Sequence, residues 1–396
     1  MNKSYLVKFS FLFFLVVFFC CASQTDRNGY VKLATINQDS ISKILKEINA
    51  SSKAQQLDTL FKNKAKLAGF NGCVLVAQKG QIIYENSFGF SNLKTKDSLK
   101  LNSAFQLASA SKTFTATAIL MLYDQGKLQL TDSVQKFFPN FPYKGITVKL
   151  LLSHRSGLFN YIYCCEQYCE KPNKYNKGVF DNAAMMEIIC THKCNVYAPP
   201  NKKFEYCNTN YAILASIVEK VSGQSFADYV EQHIFKPLGM NNSWVHNPKS
   251  AIIHKNKTVG HKASGYFEDD TYADDVVGDK GIYSSVEDML KWDQSFYTEQ
   301  LLKKETIEIA FTGYSNEHKG KRNYGYGWRL TDDGKNPKII YHNGWWHGFN
   351  SLFFRRPADQ TTIIVLGNKY NRSTYQIQGV LEILSNSSSG TIEMEE

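Results

Sequence analysis

The most informative stretch of this sequence is Phe105-Gln106-Leu107-Ala108-Ser109-Ala110-Ser111-Lys112-Thr113-Phe114-Thr115-Ala116. Within it, Ser109 and Lys112 stand three residues apart at the predicted start of a helix, which places their side chains on one face. The positive end of the helix dipole disfavours a protonated lysine there, so the amine could accept the proton of the Ser109 hydroxyl. Taken alone, the pair is also typical of a capping serine followed by a solvated lysine, and that alternative is the commoner one.

The segments on both sides of this stretch predict a mixed fold. Before it, the pattern indicates a helix at 54–67 and a β-hairpin at 72–88. After it, helical patterns dominate to about residue 235, beginning with a helix over 109–125. Strands return at 325–330, 338–342, 351–355 and 361–366, followed by a helix at 374–384. The fold class expected is α/β of the α+β kind, an antiparallel sheet built from both chain ends, flanked by helices, with an inserted all-helical subdomain.

The first residues predict an export signal at 1–22. The chain starts with a positive segment, and the apolar run at 11–21 is too short to span a bilayer as a helix. Cys20 and Cys21 are typical of a lipoprotein signal, whereas the two bulky phenylalanines before them are not. We therefore expect an exported protein, periplasmic or held in the envelope as a lipoprotein, with secretion as the alternative. Membrane contact is expected only through such an N-terminal lipid anchor.

The remaining sequence predicts a single catalytic domain. Residues 23–50 are polar with weak periodicity and are predicted to be a linker, whereas residues 385–396 are predicted to be a mobile tail. The domain between them would cover 51–384. Its sheet part is expected at about 51–105 and 275–384, and its helical part at about 106–274.

Composition and charge narrow the class of protein. With 43% hydrophobic and 21% charged residues among 396, the chain is globular, which excludes disorder, collagen and coiled coil as global descriptions. The net charge of +10 is spread along the chain, and the densest basic stretch runs only from Lys319 to Arg322. This spread indicates a solvated surface and no nucleic-acid partner. The sequence does not indicate an oligomeric state.

Six cysteines lie close together in the predicted helical part: Cys164, Cys165, Cys169, Cys190, Cys194 and Cys207. In an exported protein disulfides are their expected use, and a structural zinc site is the alternative. The sequence does not choose among the pairings. If Tyr206-Cys207-Asn208 is locally extended, the Cys207 side chain points away from both neighbours. We therefore expect a disulfide between Cys207 and a cysteine of the 164–194 segment.

Two further motifs follow Ser109 in the chain. Tyr206-Cys207-Asn208 lies about 100 residues on, and His342-Asn343-Gly344 lies at the end of a predicted strand. In the absence of a Ser-x-x-Lys, they would be expected as a core tyrosine, a helix cap and a strand histidine. Motifs of nucleotide, zinc and α/β-hydrolase sites are absent from the sequence, and the acidic segment 268–279 lacks the ligand ladder of a calcium loop. No metal site is expected.

With these motifs in place, the chain resembles the serine β-lactamase and penicillin-binding protein superfamily, in the class C-like branch that also includes DD-peptidases, D-aminopeptidases and esterases. The resemblance covers about residues 55–384 and implies a β-lactamase/transpeptidase-like fold. Besides the stretch around Ser109, the segments that carry it are Leu151-Leu152-Ser153-His154-Arg155-Ser156-Gly157-Leu158, Phe204-Glu205-Tyr206-Cys207-Asn208-Thr209-Asn210-Tyr211 and Gly278-Asp279-Lys280-Gly281-Ile282-Tyr283-Ser284-Ser285.

The resemblance assigns roles to the first two motifs. Ser109 would be the nucleophile, and Lys112 its proton acceptor or a partner in that role. Tyr206 would be the second member of the proton relay. Asn208 would hold the substrate amide and the lysine. His154 is not part of the relay in relatives, and we expect it to be structural.

The third motif would bind substrate. By the same resemblance, His342 stands where many relatives carry lysine, and Asn343 where they carry threonine or serine. Gly344 would keep the strand flat so that substrate can lie against it. The oxyanion would lie between the backbone N–H groups of Ser109 and Trp345.

The function that the resemblance implies is an exported serine hydrolase without metal or organic cofactor. It would form an acyl-enzyme with an amide, β-lactam or ester carbonyl of a small molecule or peptide. A mostly neutral His342 holds an anion less well than a lysine does, which weakens the case for antibiotic hydrolysis. β-Lactamase, DD-carboxypeptidase and esterase are not ranked by the sequence. The alternative is a catalytically inactive sensor or binding module of the cell envelope, and motif completeness favours catalysis.

Overall fold

The computed structural model describes residues 38–169, 179–317, 320, 322–334 and 336–385. The predicted export signal lies outside the described residues, as does the predicted tail from residue 386 onward. The last part of the predicted linker is a helix, Gln38–Glu47. None of the helices in these ranges combines the length and the apolar character that a bilayer crossing requires.

The described residues form helices and strands over the following bounds. The helices are α1 (Gln38–Glu47), α2 (Ala50–Ala68), α3 (Ser111–Asp124), α4 (Val134–Phe137), α5 (Val148–Leu152), α6 (Tyr161–Cys169), α7 (Asn182–Thr191), α8 (Asn208–Ser222), α9 (Phe226–Val230), α10 (Lys236–Leu238), α11 (Val286–Ser295), α12 (Lys304–Ala310) and α13 (Gln378–Ser385). The strands are β1 (Gly72–Gln78), β2 (Gln81–Phe88), β3 (Phe90–Asn92), β4 (Asp97–Ser98), β5 (Phe105–Gln106), β6 (Trp244–Val245), β7 (Ile282–Ser284), β8 (Arg322–Tyr324), β9 (Arg329–Thr331), β10 (Ile339–Trp346), β11 (Phe349–Arg356) and β12 (Thr361–Gly367).

The main sheet is antiparallel and combines both ends of the domain. Its strand order is β2-β1-β12-β11-β10-β9-β8, so that β1 from the start of the domain pairs with β12 from its end. The hairpin of β1 and β2 turns at Lys79 and Gly80, which both have positive φ angles, as a two-residue hairpin turn requires. The expected fold class, an antiparallel sheet flanked by helices, is confirmed.

Both faces of the sheet are covered, and side chains alternate between them. Along β10, Ile340 packs into the larger core, which contains α3 and α8 of the helical part. Its neighbours Ile339 and Tyr341 pack into a smaller core with residues of α2 and α13. The strand that carries the third motif is therefore held from both sides.

Short strands account for two differences from the predicted elements. The helical part contributes β6 to a three-stranded sheet of order β5-β7-β6 and is therefore not entirely helical. The predicted strand at 325–330 is interrupted, because β8 ends at Tyr324 and β9 begins at Arg329, with Gly327 in the left-handed region between them. Strands of two or three residues are too short to show an alternating pattern, so the sequence did not reveal them.

The predicted disulfide of Cys207 is wrong. Cys164, on α6, is bonded to Cys194 in the loop after α7, which joins residues separated by 30 positions. Cys207 is extended as expected, with φ −147° and ψ 122°, but its side chain is buried in the larger core. Its thiol donates a hydrogen bond to the Phe159 carbonyl oxygen at 3.0 Å. The side chain therefore points away from Tyr206, but into the interior, where it is a free thiol.

The Cys164–Cys194 bond gives the first testable prediction. Because it closes a loop of 30 residues, replacing Cys164 by serine should lower the free energy of unfolding by about 2–4 kcal/mol. The measurement is chemical denaturation of the oxidised protein with and without reductant. Cys207→Ser is the matched control, and this variant should keep the destabilisation caused by reductant. Equal sensitivity to reductant in the Cys164→Ser variant and the unaltered protein would contradict the pairing.

Candidate active site

Ser109 lies in a tight turn between α3 and β5, a strand of the three-stranded sheet. The turn is a single 3-10 segment, Ala108–Ala110, and Ala108 adopts the left-handed backbone conformation, with φ 48°. The turn is anchored on β7, because the Leu107 N–H donates to the Ile282 carbonyl oxygen at 2.7 Å. Ser109 is partly exposed, whereas Ala108 and Ala110 are buried. The strained turn thus presents one hydroxyl group to solvent at the start of a buried helix.

Lys112 is a completely buried amine with defined partners. Its Nζ donates to the Ser109 hydroxyl oxygen at 3.0 Å and to the Asp279 carbonyl oxygen at 2.8 Å. The hydrogen bond expected from the spacing of Ser109 and Lys112 is present. The alternative of a solvated lysine does not apply, because the residue is 0% exposed.

The second motif, Tyr206-Cys207-Asn208, lies at the start of α8 and is close to the same amine. The Tyr206 ring lies beside Lys112, with 5.1 Å between Nζ and the ring centroid, and Tyr206 is partly exposed. Asn208 is the first residue of α8, and its Oδ1 is a buried acceptor that has no hydrogen-bond partner among the described residues. A buried acceptor without a partner is costly unless another group, such as a substrate amide, supplies the donor.

Gly344 sets the distance between β10 and the Ser109 turn. A Cβ at this position would lie against the Leu107 carbonyl oxygen, 2.7 Å from the Ser351 hydroxyl and 2.8 Å from the Ser109 nitrogen. Any side chain would therefore push the strand away from the turn. Tyr375 holds the strand from the other side by donating to the Gly344 carbonyl oxygen at 2.8 Å. The first and third motifs can be adjacent only because this residue is glycine.

His342 lies beneath the site and does not face solvent. It is 0% exposed, its Nδ1 donates to the Asn343 carbonyl oxygen at 2.7 Å, and its Nε2 accepts from the Tyr324 hydroxyl at 3.1 Å. Burial holds the pKa of His342 well below its usual range, and the positive charges of Arg329 and Lys112 add to this. The ring is therefore neutral. A direct contact of His342 with substrate, expected from the resemblance, stays a prediction, and so do the substrate-binding roles of Asn343 and Gly344.

The two tryptophans after Gly344 face different sides of the sheet. Because the Gly344 Cβ direction points at the Ser109 turn, alternation turns Trp345 to the opposite face and Trp346 to the face of the turn. Trp345 is 56% exposed and packs edge-on against Tyr370, with ring centroids 5.9 Å apart. Only the backbone of Trp345 can contribute to the predicted oxyanion site.

A buried group next to Lys112 has no role in the assignments made from sequence. The Asp279 carbonyl oxygen accepts from Lys112, and the following residue, Lys280, donates from Nζ to the Tyr161 hydroxyl at 2.7 Å and to the Val276 carbonyl oxygen at 2.8 Å. The Asp279 carboxylate lies 3.6 Å from Lys280. Burial lowers the pKa of Lys280, whereas Asp279 opposes this shift. The sequence analysis singled out the segment Gly278–Gly281 for its resemblance to the family. The sequence pattern did not indicate that the Lys280 side chain is buried.

Arg329 is a second residue that the sequence did not single out. It lies on β9 opposite Tyr341 of β10 and is partly exposed. Its guanidinium carbon is 5.3 Å from the centroid of the Tyr206 ring. Its charge also contributes to keeping His342 neutral. A permanent positive charge therefore lies beside the second and third motifs, at the first residue of the short strand β9, which no sequence motif marks.

One group of side chains in the described ranges could offer three metal ligands. It consists of Asp270, Asp274 and His347, whose ligand atoms lie within 4.8 Å of one another. The Asp274 carboxylate accepts from the Trp346 indole N–H at 2.5 Å and lies 3.3 Å from the His347 Nδ1. These contacts account for the position of Asp274 without a metal ion. We assign no metal to this group.

Comparisons with known proteins agree on one family. The family model described as Beta-lactamase matches residues 57–383. Penicillin-binding protein 4* of Bacillus subtilis (strain 168) is 33% identical over 348 residues, 84% of this chain and 75% of that protein. The putative penicillin-binding protein PbpX of the same strain is 28% identical over 349 residues, 86% and 82% of the two chains. The octameric penicillin-binding protein homologue from Pyrococcus abyssi has a similar structure, with a TM-score of 0.71, 26% identity and coverage of 84% and 77%.

The close approach at Gly344 can be tested by stability alone. Gly344→Ala should lower the free energy of unfolding by about 1–3 kcal/mol, because the added methyl group collides with backbone that cannot move aside easily. The measurement is denaturant unfolding. Gly320→Ala is the control, since a Cβ there meets no atom of the described residues within 4 Å, and this variant should change stability by less than about 0.5 kcal/mol. Equal stability of the two variants would show that β10 does not need this approach.

Proposed function

Because the chain belongs to the beta-lactamase family, we propose that it is a serine hydrolase that forms an acyl-enzyme on Ser109. The resemblance to the serine β-lactamase and penicillin-binding protein superfamily is confirmed by these comparisons. The observation that carries the proposal is the hydrogen bond of 3.0 Å between the Lys112 amine and the Ser109 hydroxyl. Because Lys112 is buried, this contact holds the base at a fixed position beside the partly exposed nucleophile.

The proposed reaction begins with attack of the Ser109 oxygen on a substrate carbonyl carbon. The hydroxyl proton passes to the Lys112 amine, with Tyr206 beside it as the second proton carrier. The oxyanion forms between the backbone N–H groups of Ser109 and Trp345, which adjoin the Gly344 contact. The leaving group departs with a proton from the relay, and water then cleaves the acyl-enzyme by the same relay in reverse. Asn208 would bind the substrate amide with its side chain.

The charges around the site support a substrate that carries a carboxylate. Because burial keeps His342 neutral, the third motif contains no positive charge that could bind the substrate carboxylate. Arg329 supplies a positive charge in that region, partly exposed and beside Tyr206. A planar guanidinium binds carboxylates through two parallel hydrogen bonds. We therefore favour β-lactams and peptides with a free C-terminus over neutral esters, which agrees with the names of the two penicillin-binding relatives.

We further propose that the mature protein acts outside the cytoplasm. The support is the N-terminal sequence, in which a short apolar run at 11–21 ends in Cys20 and Cys21. The disulfide between Cys164 and Cys194 is consistent with an oxidising compartment. The same N-terminal segment would determine whether the protein is lipidated, and therefore whether it is free in the periplasm or anchored in the envelope.

The acyl-enzyme itself is the direct test of the proposed function. The purified protein is exposed to a panel of a β-lactam, a D-alanyl-D-alanine peptide and an acyl ester, and its intact mass is measured. We expect a mass increase of one acyl group on the Ser109 peptide. Ser109→Ala should remove the adduct and lower turnover by about 10⁶-fold. Tight binding of a ligand without any adduct or turnover would instead support the binding-module alternative.

The role of Arg329 gives a separate prediction about substrate class. Arg329→Gln should weaken acylation by the β-lactam and by the peptide about 10–100-fold, because a charge-assisted hydrogen bond is lost, while the ester changes little. Arg356→Gln is the matched control, since Arg356 pairs with Asp359 at the far end of β11. A uniform loss on all three substrates would assign Arg329 to the support of Tyr206 and not to carboxylate binding.

A further inference from the structure

The segment Leu151–Leu158 matches the family pattern, but the proposed reaction gives it no task. His154 is at its centre and is buried with 0% exposure. Its backbone has φ 54°, in the left-handed region that residues other than glycine rarely adopt. Strained backbone of this kind persists where the surrounding structure requires it, often at functional sites.

His154 anchors the chain on both sides of Tyr206. The His154 carbonyl oxygen accepts the backbone N–H of Glu205 at 2.8 Å. The His154 Nδ1 accepts the backbone N–H of Cys207 at 3.1 Å. One residue therefore fixes the peptide groups immediately before and after the tyrosine of the second motif.

The same ring also reaches the helix that Asn208 begins. The Asn210 Nδ2 donates to the His154 Nδ1 at 3.1 Å, and the side-chain oxygen Oδ1 of Asn210 accepts from the Ser156 hydroxyl at 2.6 Å. These two bonds connect the first turn of α8 to the segment that contains His154. The position of Asn208 thus depends on the same histidine.

The geometry fixes the protonation state of His154. Because Nδ1 accepts from a backbone N–H, the proton lies on Nε2 and the ring is neutral. Burial holds the pKa of His154 well below its usual range, and the positive charges of Lys112 and Arg329 contribute in the same direction. The buried Nε2 finds no hydrogen-bond partner in the described part of the chain. The ring instead packs against Tyr206, with centroids 4.3 Å apart.

A histidine with a strained backbone and an unsatisfied buried N–H is not the residue that packing alone would favour. An apolar side chain would fill the space beside the rings of Tyr206, Tyr211 and Tyr324 without an unsatisfied N–H, although it would bear the same left-handed backbone. It could not, however, accept the Cys207 N–H. The acceptor at Nδ1 is the property that distinguishes histidine here.

We propose that His154 is a positioning residue, which sets the place of Tyr206 and Asn208 through the acceptor Nδ1 of a neutral, Nε2-protonated imidazole. It does not touch substrate or exchange a proton. Its effect on rate passes through Tyr206 and Asn208, and this part of the inference rests on the proposed function. A displacement of the relay by about 1 Å can cost about 100-fold in rate.

Three variants distinguish the role of the His154 Nδ1 as a hydrogen-bond acceptor from the role of the His154 ring in packing. Asparagine carries an oxygen near the position of Nδ1 and tolerates the left-handed backbone, so His154→Asn should stay within about fivefold of the unaltered protein. His154→Leu keeps the bulk but has no acceptor, and His154→Gln carries its oxygen near the position of Nε2. Both should lose about 100-fold in the rate of acylation by a fluorescent penicillin, with a smaller change in the concentration for half-saturation.

Controls distinguish failure of this inference from failure of the proposed function. His233→Leu removes a half-buried histidine that packs on Tyr229 with centroids 4.4 Å apart, and this variant should acylate normally. Ser109→Ala should not acylate. A Ser109→Ala protein that still acylates would overturn the proposed function, and leave the positioning role to the spectroscopic test below. Equal losses in the folded Asn and Leu variants, or no loss in the Leu variant, would overturn the role of the acceptor.

A measurement on the unaltered protein does not depend on its activity, and it needs a folded variant only for the assignment. Nitrogen-15 NMR of histidine-labelled protein, assigned by comparison with the His154→Asn variant, reports which ring nitrogen carries the proton. We expect a spectrum with unprotonated Nδ1 and protonated Nε2 that stays unchanged from pH 8 to pH 5.5. A protonated Nδ1 in this range would overturn the inference, whatever the kinetic result.

Discussion

The hydrogen bonds of the buried Lys112 amine are the constraint on which the rest of the site depends. An amine that is removed from water must find acceptors inside the protein. Here they are the Ser109 hydroxyl, three residues away, and the Asp279 carbonyl oxygen, 167 residues away in the chain. Because the second acceptor is so distant, the amine can be satisfied only when the helical part and the last third of the domain are assembled. The position of the base in the nucleophile–base pair therefore depends on the packing of the whole domain.

The sheet contributes to this assembly through its covered faces and through one close contact. Side chains of β10 enter two separate cores, so the strand cannot rotate or slide without disturbing both. At Gly344 the strand approaches the Ser109 turn so closely that no side chain fits. A buried ion pair of Arg355 with Asp293 ties the neighbouring strand β11 to α11. The strand that carries the third motif is therefore held against the Ser109 turn, and its neighbour is held against α11.

The electrostatics of the site include two positive charges that the motifs did not indicate. The histidine of the third motif is neutral and enclosed, and a second neutral histidine, His154, supports the second motif. Positive charge comes from the partly exposed Arg329 beside Tyr206 and from the buried Lys280, the latter 3.6 Å from the Asp279 carboxylate. One of these positively charged side chains is partly exposed, and the other is buried beside a carboxylate. This arrangement suits an anionic acyl substrate.

The sequence by itself determined the hairpin, the long helices, the antiparallel sheet from both chain ends and the Ser109–Lys112 pair, because these depend on local periodicity and on contacts one helical turn apart. It also located Tyr206, Asn208 and Gly344 through their motifs. The tertiary structure alone decided that Cys164 pairs with Cys194, that Cys207 is a core thiol, and that Lys280 and Arg329 lie beside the site. Each of these facts depends on which distant segments share a cavity or a strand edge. Such distances are set by the packing of the whole domain, and spacing along the chain does not encode them.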